Sequence, residues 1–416
     1  MLNPKTKQRE LAYVVKIDNI LPIEGADKVE QAVVGGWHIM VRKGQFKIGD
    51  YAIYFEIDSK VPQREPFMFL ANKHFKVKTQ KYFKGTVISQ GLLMSFDDFK
   101  DDFGGAPLWL ATAIGIINNK KLVGRDPLED PIFLTKELGV TYAVEEDNKR
   151  KSNITKYDKM YQRHLKLFKK HKILRKIFSY TWGKKILFIF LGKKRDTRNW
   201  PAWVVKTDEE RVQNMPFLFP GDPDKKWIVT EKIDGTSTTF TMKGKGRKKE
   251  YYVCSRNVNF DKPEKIDNCY YNTNVYLEMA EKYSIENILS DILQKNSNLD
   301  FVTIQGETYG EGVQKRNYGL NNHQFMAFNL IYGYKDGTTK RFNPIEMTTI
   351  LKEYNLPCVP ILETITLPKT MDEMIAYADG ASQIDGQLRE GVVLRTLDGV
   401  ESFKSVSNDF LIKYHQ

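Results

Sequence analysis

The sequence predicts an α+β protein in which a small N-terminal β-barrel is followed by a basic, partly helical stretch and then by a mixed α/β domain. Three observations predict it. Over residues 9 to about 100, short β-branched and aromatic runs alternate with glycine turns, which is the spacing of a small barrel. Between Lys149 and Arg195 there are 17 Lys and Arg against the single Asp158, a net of +16. Over residues 199 to 416, strand-like and helix-like patterns alternate, and several strand ends carry charges. At 416 residues the chain exceeds one average core. We place the divisions at 1–105, 106–198 and 199–416.

In the first stretch, strands are expected at Tyr13–Ile17, at Val33-Val34 continuing into Trp37–Val41, and at Tyr51–Phe55, with turns at Gly25, Gly35-Gly36, Gly44 and Gly49. Gly104-Gly105-Ala106-Pro107 closes this domain. A helix is expected over Lys156–Phe178, with Tyr161, Leu165, Phe168 and Leu174 tending to one face and lysines on the rest. In the last stretch the strands expected are Trp227–Val229, Thr238–Met242, Tyr251–Cys254, Phe301–Ile304, Phe325–Ile331, Val392–Arg395 and Glu401–Phe403. Helices are expected at Val275–Tyr283, Ile285–Lys295, Pro344–Tyr354 and Met371–Ala381.

Composition narrows the class. The net charge of +12 comes from 64 basic against 52 acidic residues, so outside the basic stretch the chain is near −4. Clustered cations suit a polyanion, because releasing its counterions favours association. Nucleic acid is the first expectation and an anionic membrane surface the second. The three cysteines, Cys254, Cys269 and Cys358, are odd in number and lack metal-ligand spacing. Neither a disulfide framework nor a zinc site is expected, and an intracellular setting fits. The start, Met1–Lys5, has no apolar core, so no signal peptide is expected. The apolar run Ile186–Leu191 falls well short of the ~20 residues that span a bilayer, so integral membrane association is not expected.

The chemistry centres on Thr230-Glu231-Lys232-Ile233-Asp234-Gly235-Thr236-Ser237. The lead-in Trp227-Ile228-Val229 puts Lys232 just past a strand end, where a fixed scaffold can aim it. Downstream come Ser255-Arg256-Asn257, Gln305-Gly306-Glu307-Thr308-Tyr309-Gly310, Phe328-Asn329-Leu330-Ile331, Arg389-Glu390-Gly391-Val392-Val393 and Phe403-Lys404-Ser405, with Lys413 after them. In this order they resemble the nucleotidyltransferase motifs of covalent polynucleotide ligases and capping enzymes. Leu21–Glu30 and Ser89–Met94 resemble OB-fold modules. An OB-like module standing before the transferase domain, followed by Trp200-Pro201 and Lys206-Thr207-Asp208-Glu209-Glu210-Arg211, resembles the ATP-dependent RNA ligases of the RNA ligase five family.

The resemblance implies an ATP-grasp-like ligase domain that uses ATP with Mg2+ or Mn2+ and seals 3′-OH and 5′-phosphate ends in RNA, in a nicked duplex or an RNA/DNA hybrid, as a monomer. It further implies that Lys232 becomes linked to AMP, that Arg256 faces the 5′-phosphate or ribose, and that Glu307 meets ribose hydroxyls or a metal-bound water. Phe328 would stack on adenine, Asp234, Glu307 and Glu390 would hold the metal, and Lys404 would touch the α-phosphate. Glu231, Ile233 and Val392 would line the nucleotide. Lys413 is the second cation of the last motif, although it stands nine residues beyond Lys404 where many ligases place the pair closer. The residue types suit this chemistry. A lysine attacks the α-phosphorus only when neutral, and a pKa of about 10.4 leaves few neutral amines at pH 7. The expectation is that Arg256, Lys404, Lys413 and a divalent ion lower that pKa and stabilise the charge developing on phosphate. The alternatives are a DNA ligase, a GTP-using capping enzyme, or a non-catalytic RNA-binding protein.

Overall fold

The computed structural model describes residues 1–100, 107–142, 157, 161, 171–191, 200–206, 208–244, 249–260 and 274–414. The N-terminal unit is made of antiparallel ladders. Ala12–Lys16, Tyr51–Phe55 and Leu92–Met94 form one three-stranded sheet, and Asn19–Pro22, Val29–Val34 and Trp37–Arg42 another. Two shorter ladders pair Gln80–Tyr82 with Val87–Ser89 and Ser59–Lys60 with Thr141–Tyr142. Among the described residues no single ladder closes into a barrel.

Alternation sets the buried side of each strand. In Trp37–Arg42, the residues Trp37, Ile39 and Val41 are buried and join Tyr13, Ile17 and Tyr54. The opposite side collects Val14, Ile53 and Phe55 around Phe67 and Phe99. That second core continues past Pro107. The helix Leu108–Leu122 buries Leu110, Ala113 and Ile117, and Leu134, Leu138 and Val140 pack beside them. The apolar core of the N-terminal unit thus runs on past residue 105, as far as Tyr142 among the described residues.

The helix expected over Lys156–Phe178 lies partly outside the described residues, together with Leu165, Phe168, Lys169, Lys170 and Cys269. The described part is Lys172–Ser179, which ends where Tyr180 turns extended, and a second helix, Thr181–Leu191, follows. Tyr161, Leu174, Ile177, Phe178 and Leu187 form a small apolar cluster of their own. No described helix is long and apolar enough to cross a membrane.

The C-terminal domain holds two sheets, both fully antiparallel, so the class is α+β. The larger orders Glu250–Ser255, Thr236–Lys243, Leu299–Gly310, His323–Tyr334 and Thr339–Arg341. The smaller orders Ile361–Ile365, Trp227–Lys232, Gly391–Thr396 and Ser402–Val406. Helices Val275–Lys282 and Ile285–Lys295 cover the larger sheet. Ile285, Ile288, Leu289, Ile292 and Leu293 recur at helical spacing and are all buried against Phe240, Val302 and Phe325. Helix Met371–Ala378, started by a Thr370–Glu373 capping box, packs Met374 and Ala378 on Trp227, Val392 and Phe403 of the smaller sheet. The two long strands, Leu299–Gly310 and His323–Tyr334, run well past their expected ends. Being antiparallel, they bring the end of the first beside the start of the second, with Glu307 opposite Met326 and Thr308 opposite Phe325.

The two domains touch along one seam. Ile88 packs with Val406 and Leu411, Lys81 donates to the Ile412 carbonyl at 2.7 Å, and the Leu2 amide donates to the Asn214 carbonyl at 2.7 Å.

Candidate active site

Lys232 is the last residue of the Trp227–Lys232 strand, directly opposite Gly391 on its neighbour. That register brings Glu390, one residue before the neighbouring strand, against the lysine: Nζ lies 2.6 Å from Glu390 Oε1. Asp234 follows in the turn, its amide donating to Tyr318 Oη at 2.7 Å. Gly235 then lets the chain pass under the opposite strand, since a Cβ there would meet the Thr308 carbonyl oxygen and sit 2.8 Å from Glu307 Cγ. Glu307 itself is paired with Ser237 across the sheet. Three carboxylates thus gather around one amine, as the sequence anticipates.

The electrostatic consequence differs from expectation. Burial alone would lower the Lys232 pKa, but Glu390, Glu307 and Asp234 outweigh it and hold the ammonium above the ordinary lysine value. The cations expected to lower it are outnumbered at close range by carboxylates. The carboxylates are perturbed in turn. Burial, with Glu390 adding repulsion, pushes Asp234 up to about 7 against the pull of Lys232 and Arg316. Burial pushes Glu307 up to about 8; Lys232 opposes the shift, while Glu390 and Asp234 reinforce it.

Among the described residues no three His, Cys, Asp or Glu side chains form a ready-made metal cage. Glu390 Oε2 is nevertheless buried without a partner, and the convergent oxygens are the hard donors that suit Mg2+ or Mn2+. Such ions are commonly held by one or two carboxylates plus water and substrate phosphate.

Lys404 stands on the same face of the small sheet as Lys232. It pairs with Val393, which pairs with Thr230, two residues before Lys232. Burial keeps the Lys404 pKa below the ordinary lysine value; Asp208 opposes this, and Lys232 and Arg211 reinforce it. Arg256 reaches the same region and meets Asp208, with Nη2 2.6 Å from Oδ2, while Lys404 Nζ lies 3.1 Å from Oδ1. Lys413 does not join them. It is exposed on the terminal helix Asn408–Tyr414, its ammonium 5.1 Å from the centre of the Tyr414 ring, with no ion pair among the described residues. The nine-residue spacing carries it off the sheet and onto that helix.

An apolar cluster begins at Ile233, next to Lys232. Ile233, Tyr309, Tyr318 and Val359 are buried together, with Phe328 and Met326 packed at the edge. Phe325 and Ala327 of the same strand turn into the main core instead, so strand alternation places Phe328 on the cleft side. Val392 is displaced from its expected role: it is fully buried with Trp227, Val229 and Leu394, on the side of the sheet away from Lys232. Val393 takes the cleft face. The strand is apolar at successive positions because both faces are covered, so its sequence carries no alternation to set the phase. Glu231 is buried; Oε2 accepts from the Gln383 amide at 2.8 Å and Oε1 has no partner.

Four residues at the site were not singled out by their sequence pattern. Asp208 bridges two cations, as above. Arg211 is half-buried on the seam, 5.8 Å above the Trp37 ring, with Nη1 unpartnered. Arg316 is buried, stacks 4.1 Å over Tyr318 and bonds to Asp385 and the Leu388 carbonyl, bracing the loop before Glu390. Val393 is the fourth. Asp208 and Arg211 lie in the Lys206–Arg211 segment noted above for its resemblance, which was the available signal; Arg316 follows only Gln314-Lys315 and had none.

Comparison with known proteins agrees with this arrangement. The RNA ligase family model matches residues 225–415, and an OB-fold domain model matches residues 11–96. No curated protein matches significantly. Solved structures of Naegleria gruberi RNA ligase are similar over nearly the full length of both chains. A mutant of it with ATP and Mn shares 24% identity over 97% of this chain and 99% of that one, with a TM-score of 0.61. A mutant with AMP and Mn shares 24% over 98% and 99%, at 0.60, and the enzyme with PPi shares 25% over 98% and 99%, at 0.59. Lys232, its carboxylates and Lys404 all lie inside residues 225–415, which match the RNA ligase family model, behind the match to an OB-fold domain.

Proposed function

We propose that this chain is an ATP-dependent RNA ligase that works through a lysyl-AMP intermediate on Lys232. The observation that carries the reading is the ion pair of Lys232 with Glu390, set between Asp234 and Glu307 and with Lys404 on the same sheet face. The RNA ligase domain match supports it, as do neighbours solved with ATP and Mn, with AMP and Mn, and with PPi. Lys232 Nζ attacks the α-phosphorus and pyrophosphate leaves; AMP is passed to the RNA 5′-phosphate; the 3′-OH attacks and AMP departs.

Each side chain has a task in this scheme. The Ile233–Phe328 cluster holds the adenine, with ring stacking contributing about 1–3 kcal/mol. Lys404 and Arg256 hold phosphate oxygens. Glu307 orients the ribose. Asp234, Glu307 and Glu390 would hold a hydrated divalent ion, whose charge, when bound, offsets theirs and that of the phosphates. Until then Glu390 keeps the lysine protonated, so nucleophile activation waits for the loaded site.

We place the substrate as RNA ends aligned in a nicked duplex, the basic 149–195 stretch beside the RNA, and the enzyme as a monomer inside the cell. Incubation with labelled ATP and magnesium yields a covalent protein adduct that GTP does not give and that Lys232→Ala abolishes. A folded wild-type protein that never labels contradicts the reading.

A further inference from the structure

Asp208 has no part in the reaction as drawn, yet its carboxylate is where a phosphate would be expected. Its two oxygens engage two different cations that the proposed function assigns to phosphate: Oδ2 meets Arg256 at 2.6 Å and Oδ1 meets Lys404 at 3.1 Å. The positive charge of a third side chain, from the N-terminal domain, also acts on it. Arg9 of the N-terminal domain is fixed by Glu56, with Nε 2.6 Å from Oε2 of that fully buried carboxylate. Burial raises the Asp208 pKa, but Lys404, Arg256 and Arg9 outweigh it and hold the carboxyl below its ordinary range, so it is an anion at any working pH.

The backbone next to Asp208 is anchored independently of the Asp208 side chain. Lys404 N donates to the Glu210 carbonyl at 2.8 Å, and Arg211 bridges Lys404 in parallel, which ties residues 210–211 to the Ser402–Val406 strand. Glu209 is held by Arg395 at 3.3 Å, by Arg341 at 3.5 Å and by Ser402. The Asp208 side chain is 51% exposed and can rotate away without breaking any of these.

An exposed carboxylate–guanidinium pair alone would be an ordinary surface contact of little energetic weight. Here one carboxylate is shared with a largely buried lysine, its side chain 21% exposed, on the reacting face of the sheet. Carboxylate and phosphate are interchangeable to such cations: both offer paired anionic oxygens at similar spacing.

We infer that Asp208 is an internal anion of the phosphate site, holding Arg256 and Lys404 in place in the empty enzyme and yielding them to a nucleotide phosphate on binding. The inference rests on the proposed function for the roles of Arg256 and Lys404. Its consequence is a sign: a tethered competitor weakens binding of the incoming phosphate, so removing its charge tightens binding.

The test uses the full chain and Asp208→Asn, which keeps the shape and one acceptor but drops the charge. In a single-turnover assay the ATP concentration giving half-maximal Lys232 labelling falls threefold or more, and inorganic pyrophosphate inhibits labelling at correspondingly lower concentration. The labelling rate at saturating ATP stays level or drops, since preorganisation is lost. In an Arg256→Ala background the same substitution shifts the ATP requirement less.

An unchanged or raised ATP requirement overturns the inference, and restoration of wild-type values by Asp208→Glu after a rise would mark a purely structural carboxylate. Thermal melting confirms that each variant folds, with Asp208→Ser as the substitute if Asp208→Asn does not. If the wild-type protein forms no adduct, the proposed function falls; calorimetric titration with pyrophosphate still separates the two, because the internal anion predicts tighter binding by Asp208→Asn and equal binding overturns it.

Discussion

At Lys232, burial and charge pull in opposite directions, and charge prevails. Lys232 is held as an ammonium against Glu390. The protons on its neighbours give a measurable signature. Asp234 at about 7 and Glu307 at about 8 both lie above their unfolded values near 4. The folded protein therefore binds more protons than the unfolded chain through this range, and stability falls as pH rises from about 4 to about 8. In metal-free buffer with EDTA, the urea midpoint should decrease between pH 6 and pH 8, and Glu307→Gln should flatten that decrease. Parallel slopes for the two proteins would show that Glu307 is not the titrating group.

The two candidate lysines near the end of the chain make a second residue-scale contrast. Lys404 is largely buried on the sheet face that carries Lys232; Lys413 is exposed beside Tyr414. Lys404→Ala should slow lysine adenylylation by about a hundredfold or more, the usual cost of losing a donor aimed at developing charge. Lys413→Ala should change it by no more than about twofold, as for an ordinary surface substitution. Comparable losses in the two variants, read from initial labelling rates, would restore Lys413 to the site.

At the scale of elements, the site depends on two strands passing unusually close at Gly235. Gly235→Ala pushes a methyl group onto the Thr308 carbonyl and Glu307 Cγ. It should destabilise the domain by about 1–3 kcal/mol and misplace Glu307, so labelling falls more than stability alone explains. Denaturation and labelling measured side by side check this, and a fully stable, fully active variant would refute the close-packing account.

This is also the scale at which the sequence was most and least informative. Helix Ile285–Lys295 was legible to the residue because its apolar positions recur at helical spacing. Lys232, Asp234, Glu307, Glu390 and Lys404 were legible as an ordered series. That Val392 faces the core with Trp227 and Leu394 was not legible, because a strand buried on both faces has no alternation to read. Asp208 was hidden for a different reason: its meaning lies in contacts with residues 48 and 196 positions away, and no local pattern encodes those.

For the whole molecule, the N-terminal domain is more than an appended binding module. Its second core extends to Val140, its strand Val87–Ser89 meets the terminal helix, and Arg9 and Trp37 reach the seam beside Asp208 and Arg211. That the core runs on past Pro107 is not legible locally, because a glycine-rich stretch reads the same whether it separates two cores or interrupts one. The basic stretch that stands out in the sequence lies mostly outside the described residues, so its place beside RNA rests on charge alone.

The central claim is that Lys232 serves ATP-dependent RNA joining by carrying AMP, and one gel tests it most directly. A nicked duplex with an RNA 3′-OH and an RNA 5′-phosphate is incubated with ATP and magnesium; a second nick carries a 5′-end already adenylylated and receives no ATP. Wild-type protein should seal both, and Lys232→Ala should seal only the second, because the lysine is needed to load AMP and not to complete the join. Sealing of the first nick by Lys232→Ala, or of neither nick by the folded wild type, would contradict the account.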